Sequence, residues 1–299
     1  MNYANPQYLV EAEWLNTHIG DDNIRIFDVT GMLTSKLQNL AGERHYEQGH
    51  IPGAMFMDVA SAKGTLSNTE ASLPWMWPTV EQFQTAMSEH GVNQKVHVIV
   101  YAATPRPGVD NGTMWSTRAW WTLHHMGVRC SILNGGWEKW IADGYAVSQT
   151  MSSYAPTQFQ AATPGREAIV ERSQVLSALE STANTVVVDA LSAESFSGRD
   201  KPRYGSRKGH ITGAVSIPMS EMLDADTGTF LKAEEMAVRL EKHGLLSANR
   251  VISYCGGGIA ATVDAFCLAL LGHENVAVYD GSLLDWLQDD AHPMTDPSL

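Results

Sequence analysis

The sequence predicts an α/β protein built from two tandem repeats, each a mainly parallel sheet with helices on both faces. Two observations support this prediction. Short β-type runs alternate with helical patterns along the chain, as in proteins with parallel sheets. One set of motifs also occurs twice in the same order, once in each half of the 299 residues. At roughly 100–200 residues per domain, this length accommodates two domains that each bury a core.

The first repeat shows the alternation clearly. Apolar β-type runs occupy residues 25–28, 96–101 and 130–133, and helical patterns occupy residues 79–90 and 115–125. In parallel α/β sheets, ligands bind beyond the carboxyl ends of the strands. The loops that follow the strand runs are therefore where a functional site is expected.

The second repeat matches the first motif by motif. A strand run ending near Asp28 is followed by Gly-His-Ile-Pro-Gly-Ala at residues 49–54, and a run ending near Asp189 by Gly-His-Ile-Thr-Gly-Ala at 209–214. We predict domains at residues 1–146 and 166–299. Residues 147–165, rich in Ser, Thr, Gln, Ala and Pro, form the predicted linker between them.

Composition narrows the classes of partner and compartment. A formal net charge of −13 argues against nucleic acid, because phosphate binding needs a concentrated basic surface. The absence of an apolar run of about 18 residues and of signal-peptide features predicts no membrane partner and a cytoplasmic location. The three cysteines suit neither a disulfide framework nor a zinc site, and a reducing compartment suits a working thiol.

Cys255 is the candidate catalytic residue. It ends the β-type run at residues 251–254 and is followed at once by three glycines and an apolar helical pattern. Glycines allow successive N–H groups to turn toward the sulfur, and the helix directs its positive dipole end at the same point. Both effects favour a thiolate. The matching position in the first repeat is Ala102, so only the second repeat carries the nucleophile.

Two other interpretations of this loop are weaker. A cysteine phosphatase or arsenate reductase needs an arginine six residues beyond the cysteine to clamp the oxyanion, and position 261 is alanine. A dinucleotide site is suggested because Gly256, Gly258 and Ala261 fit G-x-G-x-x-A, with Asp280 ending the next strand run. That fingerprint normally opens a nucleotide-binding domain, whereas only a short tail follows Asp280.

The loop and its surroundings resemble the active site of the rhodanese sulfurtransferases, in which a cysteine carries a persulfide between donor and acceptor. The Gly-His-Ile-Pro-Gly-Ala motif and the segment Tyr-Asp-Gly-Ser at residues 279–282, with Trp286, extend the resemblance. It implies that Cys255 attacks a small anionic sulfur donor and passes sulfur to a thiol, cyanide or protein thiol, with no metal or organic cofactor. The terminal sulfur would then be cradled by five backbone N–H groups, those of Gly256, Gly257, Gly258, Ile259 and Ala260.

The resemblance leaves the donor open. Thiosulfate-preferring members commonly place basic residues directly after the cysteine, and mercaptopyruvate-preferring members place Gly and then Ser or Thr there. Gly256 and Gly257 supply neither the positive charge nor the hydroxyl. We slightly favour thiosulfate because it needs no general acid. The alternative is a regulatory or sulfur-carrier module on a rhodanese scaffold, with a protein persulfide partner.

A basic run at residues 199–208 is the predicted source of positive charge near the donor. The resemblance implies that an arginine of this loop approaches the donor, and Arg199 and Arg203 both suit that role. The alternative is a solvated basic loop.

Two residues of the first repeat are further candidates for the donor site. The resemblance implies that His50 approaches the cysteine, although the matching His210 suggests a hydrogen bond of the fold in both repeats. Arg118 either reaches the cleft or makes a partly buried ion pair across domains.

Overall fold

A computed structural model describes residues 2–165 and 168–298. The chain divides into two compact units. The first unit consists of residues 7–163 with 225–230, and the second contains residues 164–224 and 231–299 together with the first six residues. Residues 166 and 167, where the predicted second domain begins, lie outside the described residues.

The first unit contains a five-stranded sheet with the strand order β1-β5-β4-β2-β3, and all of its pairings are parallel. Asp28 pairs with Tyr101, so the carboxyl ends of the two central strands lie side by side. The strands are β1 (Leu9–Val10), β2 (Ile24–Asp28), β3 (Met55–Phe56), β4 (His97–Tyr101) and β5 (Cys130–Leu133). The helices are α1 (Ala12–His18), α2 (Ala41–Arg44), α3 (Val80–Glu89), α4 (Gly112–His125) and α5 (Gly136–Ala142), with short 3-10 turns at Pro6–Tyr8 and Tyr46–Gln48.

The predicted elements of the first unit are confirmed with small shifts at their ends. Thr79 caps α3 in a reciprocal capping box with Gln82, which explains why the helix starts where the pattern placed it. Helix α4 begins at Gly112, earlier than predicted, because the Asn111 side chain accepts a hydrogen bond from the Met114 N–H and caps the first turn. Apolar residues of the sheet and of α5, such as Ile99 and Trp140, form the buried core.

The second unit repeats this topology, with a parallel sheet in the order β6-β11-β10-β7-β9 and a separate antiparallel pair of β8 and β12. Asp189 pairs with Tyr254 as Asp28 pairs with Tyr101. The strands are β6 (Ile169–Val170), β7 (Thr185–Asp189), β8 (His210–Ile211), β9 (Val215–Ser216), β10 (Arg250–Tyr254), β11 (Val276–Tyr279) and β12 (Met294–Thr295). The helices are α6 (Arg172–Glu180), α7 (Ala193–Phe196), α8 (Ala233–Glu241), α9 (Ala261–Leu270) and α10 (Ser282–Trp286), with a 3-10 turn at Met219–Met222.

The segment predicted as a linker packs mainly on the first unit. His50 and Ser148 exchange two backbone hydrogen bonds of 2.9 Å, and the Tyr154 hydroxyl donates to the Gly53 carbonyl at 2.6 Å. Residues 147–163 therefore belong to the first unit although they lack a regular apolar pattern. Within the described ranges, no helix has both the length and the apolar character needed to cross a membrane.

Candidate active site

Cys255 lies at the carboxyl end of β10, a central strand of the second unit, in the six-residue loop that precedes α9. Both of its main-chain polar groups are held by the start of α10. The Cys255 N–H donates to the Ser282 hydroxyl at 3.1 Å, and its carbonyl accepts from the Leu283 N–H at 3.1 Å. The Ser282 hydroxyl donates in turn to the Tyr279 carbonyl at 2.7 Å. The cysteine backbone is thus fixed by the turn that follows β11.

Three backbone N–H groups hydrogen-bond with the Cys255 sulfur, those of Gly257, Ile259 and Ala261. Gly257 and Ile259 were among the five predicted donors, and Ala261, the first residue of α9, was missed. Gly258 has a φ of +76°, a conformation that glycine adopts without a steric penalty, and it turns the chain around the sulfur. The loop therefore forms an anion cradle that is completed by the N-terminus of α9.

Gly256 makes two further contacts in the loop. Its carbonyl accepts a hydrogen bond from the Leu284 N–H at 2.9 Å. A Cβ atom at this position would lie only 2.1 Å from Cζ of Tyr204. Only glycine therefore allows the tyrosine ring to pack against the loop.

Two opposing effects act on the pKa of the Cys255 thiol. Burial raises the pKa of the Cys255 thiol above its ordinary value, and the charge of Asp189 adds to the increase. The three N–H groups lower the pKa as expected, but the side chain is only 2% exposed, and loss of hydration outweighs them. At neutral pH the closed site therefore holds mainly the thiol.

Tyr204 is a residue of this site that sequence reasoning missed. Burial raises its pKa to about 12, with a further contribution from the charge of Cys255, so its hydroxyl is protonated beside the sulfur. The only feature of the sequence that could have pointed to Tyr204 was its position in the basic run, between Arg203 and Gly205. Nothing in the pattern indicated that its ring would cover Gly256.

The structure separates the two candidate arginines. Arg203 lines a cavity of about 20 Å³ with Tyr204, and its guanidinium pairs with Asp200 at 2.9 Å. Lys201, Arg207 and Lys208 line the same cavity. Both arginines are exposed, and Arg199 is not among the residues that line the cavity. The basic run thus places Arg203, rather than Arg199, next to the tyrosine that contacts the cysteine loop.

His50 makes its contacts inside the first unit. It is fully buried and stacked on Tyr46, with Nδ1 at 2.8 Å from the Tyr46 carbonyl and Nε2 at 3.1 Å from the Thr150 carbonyl. His210 likewise stacks on Phe196, with Nδ1 at 2.8 Å from its carbonyl. The hydrogen bond of the fold suggested by repetition is present in both units.

Arg118 is also buried in the first unit, where its guanidinium donates to the carbonyl of Trp75. This contact is consistent with a structural role. In residues 2–165 and 168–298, no group of three or more His, Cys, Asp or Glu side chains is arranged to hold a metal ion.

The rhodanese-like domain family matches residues 11–143 and 172–289, and the chain therefore belongs to the rhodanese family. It is a sulfurtransferase of that family. The 3-mercaptopyruvate sulfurtransferase of Escherichia coli (strain K12) is 36% identical over 283 residues, covering 93% of this chain and 94% of the relative. The thiosulfate sulfurtransferase of Rattus norvegicus is 29% identical over 286 residues, covering 94% and 92%. The crystal structure of SseA from Escherichia coli matches with a TM-score of 0.77 at 33% identity, covering 92% of this chain and 98% of that one.

Proposed function

We propose that this sulfurtransferase moves a sulfane sulfur from a small anionic donor to a thiophilic acceptor through a persulfide on Cys255. The observation that supports the proposal best is the set of three N–H groups around the sulfur. A persulfide carries its negative charge on the terminal sulfur, and a preorganised ring of N–H donors stabilises such a charge as an oxyanion hole stabilises oxygen. The fixed backbone of Cys255 keeps this ring in place without side-chain rearrangement.

The proposed reaction consists of two displacements. The Cys255 thiolate attacks the outer sulfur of thiosulfate, the S–S bond of the donor breaks, and its electron pair leaves with sulfite. The terminal sulfur of the resulting persulfide is then attacked by cyanide or by a thiolate of a small molecule or protein. The bond to Cys255 breaks and the thiolate is regenerated, which gives double-displacement kinetics.

Thiosulfate remains our first choice of donor, because its leaving group is already a stable anion and needs no proton. Gly256 and Gly257 offer neither a charge nor a hydroxyl directly after the cysteine. Mercaptopyruvate is the second candidate, and the 36% identity to an enzyme named for that donor supports it. Its carbon–sulfur bond would break toward the enolate of pyruvate, and the donor's thiol proton would end on carbon.

Arg203 is the residue that we propose for donor recognition. A chain with a net charge of −13 repels anions at long range, so local positive charge is needed at the site. Arg203 and the lysines beside it supply that charge close to Tyr204.

The test is sulfur transfer to cyanide from thiosulfate and from mercaptopyruvate in parallel, with mass spectrometry of the donor-treated protein. We expect a mass increase of one sulfur on Cys255 and turnover with at least one donor. Cys255→Ser should lose both, because a hydroxyl is a far weaker nucleophile toward sulfur at neutral pH. The matched control is Cys130→Ser, which changes a buried cysteine of the first unit. This variant should retain both the sulfur loading and the turnover.

Turnover by Cys255→Ser would refute the mechanism. Sulfur loading of the wild-type protein without transfer to cyanide or small thiols would instead favour the sulfur-carrier alternative, with a protein thiol as the acceptor.

A further inference from the structure

We propose that the ring of Tyr204 is a steric gate that limits the size of the donor able to reach Cys255. The gate is closed in this structure and must open for each sulfur transfer. This role rests on the proposed function, because it concerns access to the same sulfur.

The first argument is the closeness of the ring to the cysteine loop. A methyl group on Gly256 would overlap the Tyr204 ring at 2.1 Å from Cζ and 2.5 Å from the hydroxyl oxygen. The ring therefore lies directly on the residue that follows the nucleophile. Tyr204 is also near enough to Cys255 for the charge of the sulfur to influence the phenol.

The second argument is the burial of the sulfur. Displacement at sulfur requires the donor sulfur to contact Sγ of Cys255, yet that side chain is only 2% exposed. Some covering group must therefore move, and Tyr204 is the aromatic side chain that packs on the loop.

The third argument is how the loop is held. Arg199 and Asp200 donate backbone hydrogen bonds to the Glu194 carbonyl at one end. At the other end, the Arg207 side chain donates to the carbonyls of Asp289 at 2.8 Å and His292 at 2.7 Å. Across the described chain, no backbone-to-backbone hydrogen bond involves residues 202–206. Tyr204 thus lies in a short loop that is anchored at both ends, and backbone hydrogen bonds do not restrain the residues between the anchors.

The gate predicts a size preference that a purely structural tyrosine would not produce. The small neutral reagent iodoacetamide and the bulkier N-phenylmaleimide both alkylate thiolates, and neither needs a sulfur donor. Peptide mapping of the labelled protein separates Cys255 from Cys130 and Cys267, which are buried and serve as internal controls for unfolding.

We expect Tyr204→Ala to increase labelling of Cys255 by at least about tenfold with the bulky reagent and by less with the small one. Tyr204→Phe keeps the ring and should behave as the wild type does with both reagents. Tyr145→Ala, which removes a half-buried tyrosine of the first unit, controls for general loosening and should change neither rate.

A Tyr204→Ala variant that labels Cys255 no faster than the wild type, or with an unchanged ratio between the reagents, would overturn the gate. If labelling of Cys130 and Cys267 shows that this variant unfolds, Arg207→Gln provides the second test. It removes the anchor of the loop but keeps the ring, and it should also increase labelling by the bulky reagent. No increase would refute the gate. Because alkylation requires no sulfur donor, failure of the gate is distinguishable from failure of sulfur transfer.

Discussion

The two units differ in the loop that follows the same strand end. In the first unit, ten residues separate β4 from α4, and this loop is closed by the Arg106–Asp110 ion pair at 2.7 Å and by the Asn111 cap on the helix. In the second unit, only six residues separate β10 from α9, and no side chain caps that helix. The Ala261 N–H, at the start of α9, hydrogen-bonds with the Cys255 sulfur. The Cys255 sulfur thus accepts from the first turn of α9, whereas the Asn111 side chain accepts from the first turn of α4.

The frame around the two loops is otherwise the same. Asp28 accepts a hydrogen bond from the Thr30 N–H at 2.9 Å, and Asp189 accepts one from the Leu191 N–H at 2.8 Å. In each unit, the tyrosine that ends the central strand (Tyr254 in the second unit) makes the same contact. Its hydroxyl accepts a hydrogen bond from the isoleucine N–H of the Gly-His-Ile motif. The two units therefore differ mainly in the length and content of one loop, and the shared frame positions that loop in both.

The largest expected effect tests this difference directly. In a Cys255→Ser background, Ala102→Cys places a thiol at the equivalent strand end of the first unit. We expect no recovery of sulfur transfer, with activity below roughly one thousandth of the wild-type value, because the longer loop does not wrap N–H groups around the new sulfur. The measurement is turnover with thiosulfate, together with mass spectrometry of donor-treated protein.

The reverse outcome would be informative. Sulfur loading at position 102 would mean that a thiol at this strand end suffices and that the cradle of Gly257, Ile259 and Ala261 is dispensable. The single variant Ala102→Cys, with Cys255 intact, should retain wild-type activity and serves as the control for folding.

The repeat and the position of Cys255 at a strand end could be predicted from sequence because both depend on local pattern. Cys255 follows an apolar strand run and precedes glycines, and these features do not depend on distant contacts. The roles of Ser282 and Tyr204 could not be predicted in the same way. Ser282 reaches Cys255 only because parallel pairing of β10 and β11 brings the two strand ends together. Tyr204 reaches Gly256 through a loop whose path is set by contacts distant in sequence.

The net shift of the cysteine pKa could not be predicted from sequence for a related reason. Sequence identifies the N–H groups that stabilise a thiolate, but it does not show how completely the sulfur is removed from water. Desolvation of a fully buried group can outweigh several hydrogen bonds.

The second prediction concerns Asp189, whose own pKa burial raises to about 6. At pH 7 and above it is ionised, and after burial its charge is the main cause of the raised Cys255 pKa. Asp189→Asn removes this charge, so the pH of half-maximal iodoacetamide labelling should fall. Labelling at neutral pH should become several-fold faster, since a larger fraction of the sulfur is thiolate.

Asp28→Asn is the matched control, because Asp28 has the same backbone contact in the unit that lacks a nucleophile. It should leave the labelling profile of Cys255 unchanged even if it costs similar stability. If both variants shift the profile equally, the effect arises from a general loosening of the fold. An unchanged profile in Asp189→Asn would mean that the carboxylate does not influence the sulfur.

The smallest expected effect distinguishes the two arginines of the basic loop. Arg203→Gln removes a charge next to Tyr204, and we expect the KM for thiosulfate to rise about threefold with little change in kcat, since a partly exposed charge is screened by salt. Arg199→Gln is the matched control, because it removes the same charge from a likewise exposed position outside the cavity. Steady-state kinetics at low ionic strength provide the measurement. A larger KM increase for Arg199 would reverse the assignment, and no change in either variant would mean that the basic loop only solvates the surface.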